Sequence, residues 1–159
     1  MLRSLYDNDV TVWSPQGRLF QVEYACEAVK QGSLAVGITS PSYVLLAALQ
    51  RPAGDLAIRT QRKLFPIDDH LGVVIAGLTS DARALTRYMQ GQALASRMNM
   101  NRPIPVQRLV HDISDRAQRN TQSYGGRPFG VGMLVGGIDV SKASFLGHWS
   151  PSLGVHAKR

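Results

Sequence analysis

The 159-residue sequence has a single cysteine, Cys26, so no disulfide can close within it. One thiol suits a reducing compartment. Its place among apolar residues at helical spacing favours packing over catalysis. Aromatic residues make up only 7% of the chain, which leaves little for base-stacking platforms. The four histidines are scattered, no set with Cys26 has metal-ligand spacing, and neither a metal nor a cofactor is expected. The longest apolar runs, Val44 to Leu49 and Val73 to Leu78, fall far short of the roughly 20 residues of a bilayer-spanning helix. The N-terminus carries Asp7 and Asp9 and lacks the apolar core of a secretory signal. Disulfide scaffolds and membrane spans are excluded, and a cytoplasmic and nuclear setting is expected.

What is present is a basic chain with a net charge of +7 and an apolar fraction of 44%, enough for one domain with a real core. A basic balance raises nucleic acid or another anionic surface as a partner. The basic residues are dispersed, however, and the nearest clusters, Arg59–Arg62–Lys63 and Arg116–Arg119, have no interleaved aromatics. No nucleic-acid partner is therefore expected, and a basic nucleic-acid module stays as an alternative.

Periodicity divides the chain into alternating elements. Leu19, Val22, Cys26 and Val29 fall on one face of a helix that ends near Gly32. Ser33 to Thr39 and Tyr43 to Leu49 read as a hairpin across Pro41-Ser42. Lys63 to Ile67 and Leu71 to Ala76 read as a second hairpin across Asp68-Asp69-His70. These strands are nearly all apolar, which implies cover on both faces. A helix is expected from about Asp81 to Met98, with Ser80 as N-cap and Asp81 on its dipole. Another is expected from about Val106 to Gln122, beyond Pro103 and Pro105. Tyr124-Gly125-Gly126-Arg127-Pro128 is a turn, and Gly130 to Ile138 a buried strand whose glycines suit close approach of another layer. Two hairpins followed by two helices suggest a sheet with a helical layer.

The most specific stretch runs from Tyr6-Asp7-Asn8-Asp9 through Ser14-Pro15-Gln16-Gly17-Arg18-Leu19 to Gln21-Val22-Glu23-Tyr24-Ala25. It reads as an extended arm, a Ser-Pro turn and a helix start, because Pro15 disfavours helical backbone at Ser14. This run resembles the N-terminal signature of proteasome 20S alpha subunits. Glu27 to Ser33 and Tyr124 to Pro128 extend the likeness, which is strong to about Asp139 and weaker beyond. Phe145-Leu146 then stands for a further strand and Pro151-Ser152 for a turn.

The resemblance implies an α+β fold, the four-layer alpha-beta-beta-alpha sandwich of N-terminal-nucleophile hydrolases, incomplete at the C-terminus. Residues 1–14 would be the gate arm and turn, 15–31 the alpha-subunit helix, 33–139 the sandwich portion and 140–159 a divergent tail. On the order of a hundred residues would be missing from a domain of the usual length. A chain without them would leave the third helix and the Gly130 to Ile138 strand short of cover.

The resemblance also implies what the residues do. Related beta subunits use an N-terminal threonine whose own amine is the base, supported by an acid and a lysine. Here Ser33 stands at the nucleophile position, Leu49 at that of the acid, and Lys63 matches. The Ser33 nitrogen is an amide within the chain and cannot act as a base. No catalytic residue is therefore expected, and a self-processing hydrolase with Ser33 exposed is the alternative. Lys63 is implied to line a pocket between subunits that takes the C-terminal carboxylate of a regulatory particle ATPase tail or another activator. A lysine snorkelling beside a strand is the plainer reading. Tyr6, Asp7, Pro15 and Tyr24 are implied to hold the gate open, with residues 1–5 as the mobile arm. Arg18 and Glu23 are implied contacts between subunits or on the helix surface. With Leu19 and Val22 they would help assemble a ring of seven alpha subunits that stacks on beta subunits.

Overall fold

The computed structural model describes residues 5–50, 61–139, 144–151 and 154–158. Parts of the expected mobile arm (1–4) and of the Pro-Ser turn (152), and Arg59 of the Arg59–Arg62–Lys63 cluster, lie outside the described residues.

The chain order is α1 (Phe20–Lys30), β1 (Ala35–Thr39), β2 (Val44–Ala48), β3 (Leu64–Asp68), β4 (Leu71–Gly77), α2 (Thr79–Met100), α3 (Val106–Gln122), β5 (Val131–Ile138), β6 (Ser144–Ser150) and β7 (Gly154–Lys158). The first pair of strands forms its own antiparallel sheet, and β3 to β7 form a second sheet in sequence order. The expected hairpins and both long helices are in place, and α2 is longer at each end than its periodicity indicated. Phe145 and Leu146 do sit in a strand, and the sheet continues through β7.

Alternation explains the layers. One face of the larger sheet carries Val73, Ile75, Val131, Met133 and Val135, which pack against Leu85 and Met89 of α2 and Leu109 and Ile113 of α3. The opposite face meets the β1–β2 sheet. There glycine lets two sheets come close. A Cβ on Gly136 would lie 2.6 Å from Val44 Cγ1, and one on Gly37 would lie 2.8 Å from Leu146 Cδ1. The layers are thus helices, large sheet, small sheet, with α1 across the β4–β5 end on the small-sheet side. A Cβ on Gly132 would lie 3.0 Å from Val29 Cγ1 and one on Gly130 3.3 Å from Ala28 Cβ, and these contacts seat that helix.

Three expectations need correction. Ser80 does not cap α2. The helix begins two residues earlier, at Thr79, and its N-cap is Leu78 in extended backbone with no side-chain cap bond. The third helix and the Gly130 to Ile138 strand are not short of cover, since Val106, Leu109, Ile113, Val131 and Met133 are fully buried between the helices and the sheet. Among the described residues it is instead the outer face of β1–β2 that is bare, where Ile38 is 57% and Leu45 60% exposed. Apolar content therefore did not report two-sided cover for that hairpin.

Candidate functional site

The N-terminal arm folds onto the start of α1 through a closed turn. The Gly17 N–H donates to the Ser14 carbonyl at 2.9 Å and the Ser14 N–H to the Arg18 carbonyl at 2.9 Å. The Arg18 N–H donates to Ser14 Oγ at 3.0 Å. Pro15 occupies the corner, with Gly17 at φ +75° completing a turn that a residue with a Cβ would strain. Asp7 then touches α1 twice. Its carbonyl accepts from the Gln21 side-chain amide, and its Oδ2 accepts from the Tyr24 hydroxyl at 3.3 Å. Partial burial, followed by the Asp7 carboxylate, holds the Tyr24 hydroxyl above its ordinary pKa. Asp7, Pro15 and Tyr24 are therefore within one local structure, and Tyr6 lies exposed beside it.

Asp9 carries the arm's longest-range contact, and sequence reasoning gave it no role. Its Oδ1 accepts from the Thr11 N–H and hydroxyl, each at 2.8 Å. Its Oδ2 accepts from the Gly125 N–H at 3.1 Å, which ties the arm to the turn after α3. Donation from the Thr11 amide and then the Gly125 amide holds the carboxyl below its ordinary range.

That turn is itself anchored. Arg127 forms a two-pronged pair with Asp81 at 2.6 and 2.7 Å. Asp81 also accepts the Gly130 N–H at 3.0 Å. Burial pushes the Asp81 carboxyl up, but the Arg127 and Gly130 bonds outweigh it and leave its pKa lowered. The sequence signal for this pair is faint: an acid in the first turn of α2 and an arginine forty-six residues later share no local pattern.

Arg18 and Glu23 pair with each other, and the Arg18 guanidinium lies 5.0 Å from the Phe20 ring centroid. Phe20 in turn stacks on Tyr24 at 6.3 Å. Both charged groups are solvent-accessible, so they order the exposed edge of α1. Leu19 sits at the helix N-cap and Val22 is half-buried.

At the other end of α1, Gly32 packs so tightly that an added Cβ would lie 2.5 Å from the Gly77 nitrogen. Ser33 follows at once. Its hydroxyl donates to the Leu49 carbonyl at 2.7 Å. Lys63, only 8% exposed, donates from Nζ to the Ser33 carbonyl at 2.5 Å, to Ser33 Oγ at 2.7 Å and to the Leu34 carbonyl at 3.3 Å. The expected trio of Ser33, Leu49 and Lys63 is thus in contact, but the chemistry is that of a brace. The Ser33 proton points to a carbonyl, and an ammonium that donates to three oxygens has no lone pair to receive it. A cavity of about 220 Å³ beside Ser33 is lined by Val29, Val74, Met133 and His148. Among the described residues no group of three side chains could hold a metal ion, and no helix is long and apolar enough to cross a membrane.

The family model described as "Proteasome subunit" matches residues 29–157, so the likeness runs well past Asp139, where the sequence reading had it weaken. A second model, for the N-terminal signature of A-type proteasome subunits, matches residues 6–28. The chain is 55% identical to a probable proteasome alpha type-6 subunit of Schizosaccharomyces pombe over 89% of its own length and 52% of that protein's. It is 52% identical to the proteasome alpha type-1 subunit of Drosophila melanogaster, covering 87% of itself and 50% of the relative. Against the proteasome alpha type-6 subunit of Saccharomyces cerevisiae the identity is 49%, with 92% and 62% covered. The chain spans about half the length of the curated relatives it matches. By a family match that takes in most of its residues, and an alpha signature that supplies its arm and first helix, the chain belongs to the proteasome subunit family.

Proposed function

We propose that this chain works as a non-catalytic alpha subunit of the 20S proteasome, in the ring position of the type-1 and yeast type-6 relatives. It builds the outer ring with other alpha subunits, stacks on beta subunits and controls substrate entry in ubiquitin-dependent protein degradation in the cytoplasm and nucleus. The observation that carries this reading is the arm. Asp7 is held by Gln21 and Tyr24, Ser14 closes the turn, and Asp9 is fixed to Gly125. An arm held by a few exposed hydrogen bonds can be released or retained by small differences in contact between states, as a gate requires. The use of Lys63 as a brace on Ser33 and Leu34 supports a site that does no hydrolysis.

In this reading Tyr6, Asp7, Pro15 and Tyr24 set the gate, and Lys63 receives the terminal carboxylate of an activator tail by giving up part of its bonding to Ser33 and Leu34. Leu19, Val22, Arg18 and Glu23 present the ring-facing side of α1. Native mass spectrometry of the tagged chain from its own cells tests the assignment. Recovery within a 20S particle is expected, and recovery only as free chain or on chaperones would sink it.

A further inference from the structure

A cleft of about 440 Å³ opens between α3, the approach to β5 and the end of β6. Helical spacing on α3 explains why it lies there. Leu109, Ile113 and Ala117 are buried toward the sheet. Arg108 and Asp112 line the groove shared with α2. His111, Ser114, Asp115 and Thr121 run down the remaining flank, away from α2, and line the cleft. Trp149 pairs with Met133 across β5 and β6, so it shares the face of the sheet that meets the helices. With Phe129 and Ala117 it gives the cleft an apolar floor.

Acceptors predominate at the rim. Ser114 Oγ donates to the Val110 carbonyl at 2.7 Å, and Thr121 Oγ1 to the Gln118 carbonyl at 2.7 Å. A hydroxyl carries one proton, so each of these keeps only lone pairs to offer. His111 Nδ1 lies 3.3 Å from Asp115 Oδ2. A carboxylate only accepts, so in the neutral ring the proton sits on Nδ1 and Nε2 also keeps a lone pair. Although the chain has a net charge of +7, no lysine or arginine lines the cleft among the described residues. Its one acid is Asp115.

We propose that this cleft binds a small arylalkyl ammonium. The ammonium group donates to Asp115 and its neighbouring acceptors, and the ring lies against Trp149 and Phe129. A carboxylate or phosphate fits poorly, because it would face lone pairs and a like charge. A ligand of about ten non-hydrogen atoms fits a cleft of this size, and its affinity should be on the order of a millimolar. None of the lining residues belongs to the arm or to the Ser33–Lys63 contact, so occupancy does not depend on the gate reading.

The test uses the full chain carrying Trp13→Phe, a change at an exposed position that leaves Trp149 as its only tryptophan. Titration with 2-phenylethylamine should shift the Trp149 emission and its indole NMR signal saturably. Phenylacetate, with the same ring and the opposite charge, should bind more weakly. Asp115→Asn, at a solvent-accessible side chain, should weaken 2-phenylethylamine about fivefold with an unchanged melting curve. Asp112→Asn removes the same charge from the other flank of α3 and should bind as the parent does. No saturable shift in either signal would overturn the proposal. So would equal binding of phenylacetate, or equal losses in the two asparagine variants.

Discussion

Removing the Arg127 guanidinium should loosen both the core and the arm. Arg127→Met keeps much of the side chain's apolar length and deletes its bonds to Asp81. Asp81 is 6% exposed and would retain the Gly130 N–H and a distant Ser80 hydroxyl. Breaking a fully buried pair costs about 3–5 kcal/mol. The Arg127 side chain, however, is 58% exposed, so water screens part of the attraction. The expected loss is about 2 kcal/mol, near that of hydrogen bonds to a charged group. In wild type the Asp81 pKa is lowered, so its stabilisation is full above the ordinary carboxylate value of about 3.9 and is lost as pH falls through the folded value. In the variant, burial without the cation pushes the same carboxyl up, so acidification relieves it. The gap between the two proteins should hold near neutral pH and close as pH falls below the ordinary carboxylate value of about 3.9. Urea unfolding across that range measures the gap, and hydrogen exchange at the Thr11 and Gly125 amides reports the arm. A loss under about 0.5 kcal/mol, or a gap unchanged at low pH, would refute the reasoning.

Further perturbations separate the remaining layers. Lys63→Met leaves the Ser33 and Leu34 carbonyls without their shared donor and should cost about 2–3 kcal/mol, whereas a solvated surface lysine would cost within about 0.5; chemical denaturation distinguishes them. Gly77→Ala should cost about 3 kcal/mol, because Gly77 has φ +113° and an added Cβ would lie 2.4 Å from the Gly130 carbonyl oxygen; a thermal melt unchanged from wild type would show that the strand end yields freely. Leu45→Lys on the bare face of β2 should leave stability within about 0.5 kcal/mol while reducing hydrophobic-dye binding and aggregation, as fluorescence and light scattering would register. Asp9→Asn should weaken the hold of Thr11 and Gly125 on the arm without moving the main unfolding transition, and increased amide exchange at those two residues is its signature.

The elements were legible because their periodicities are strong, and the site was legible in proportion to how local its contacts are. Leu109, Val110, Ile113 and Ala117 bury one face of α3 as their spacing requires. The Ser14 turn and the Asp7 contacts with α1 lie within a short stretch, and the signature brought all of them to notice. The pairs that span long separations left no trace. Asp81 looked like a dipole partner for its own helix, and Asp9 like one more acid in the arm. Their partners, Arg127 and Gly125, sit in a turn that local propensity explains completely. The β1–β2 hairpin misled for a different reason. Its sequence is apolar at both parities, and composition cannot tell a strand buried on both faces from one whose outer face is bare among the described residues.

The contacts that sequence left hidden join the two parts that it displayed. Asp81 fixes Arg127 against the start of α2, Arg127 shapes the turn, Gly125 in that turn holds Asp9, and Asp9 holds the arm through Thr11. The hydrogen bonds in this series all go to carboxylates, and they grade from a two-pronged pair on the buried Asp81 carboxylate to an accessible single bond. Exposed polar contacts exchange readily with water and contribute little net stability each, whereas the two-pronged pair, whose Asp81 partner is buried, costs more to break. A gate built this way would move at Asp9 and remain fixed at Asp81. The arm could then leave and return without disturbing the sheet and helices that carry it, because the weakest bond in the series is the one nearest the moving part.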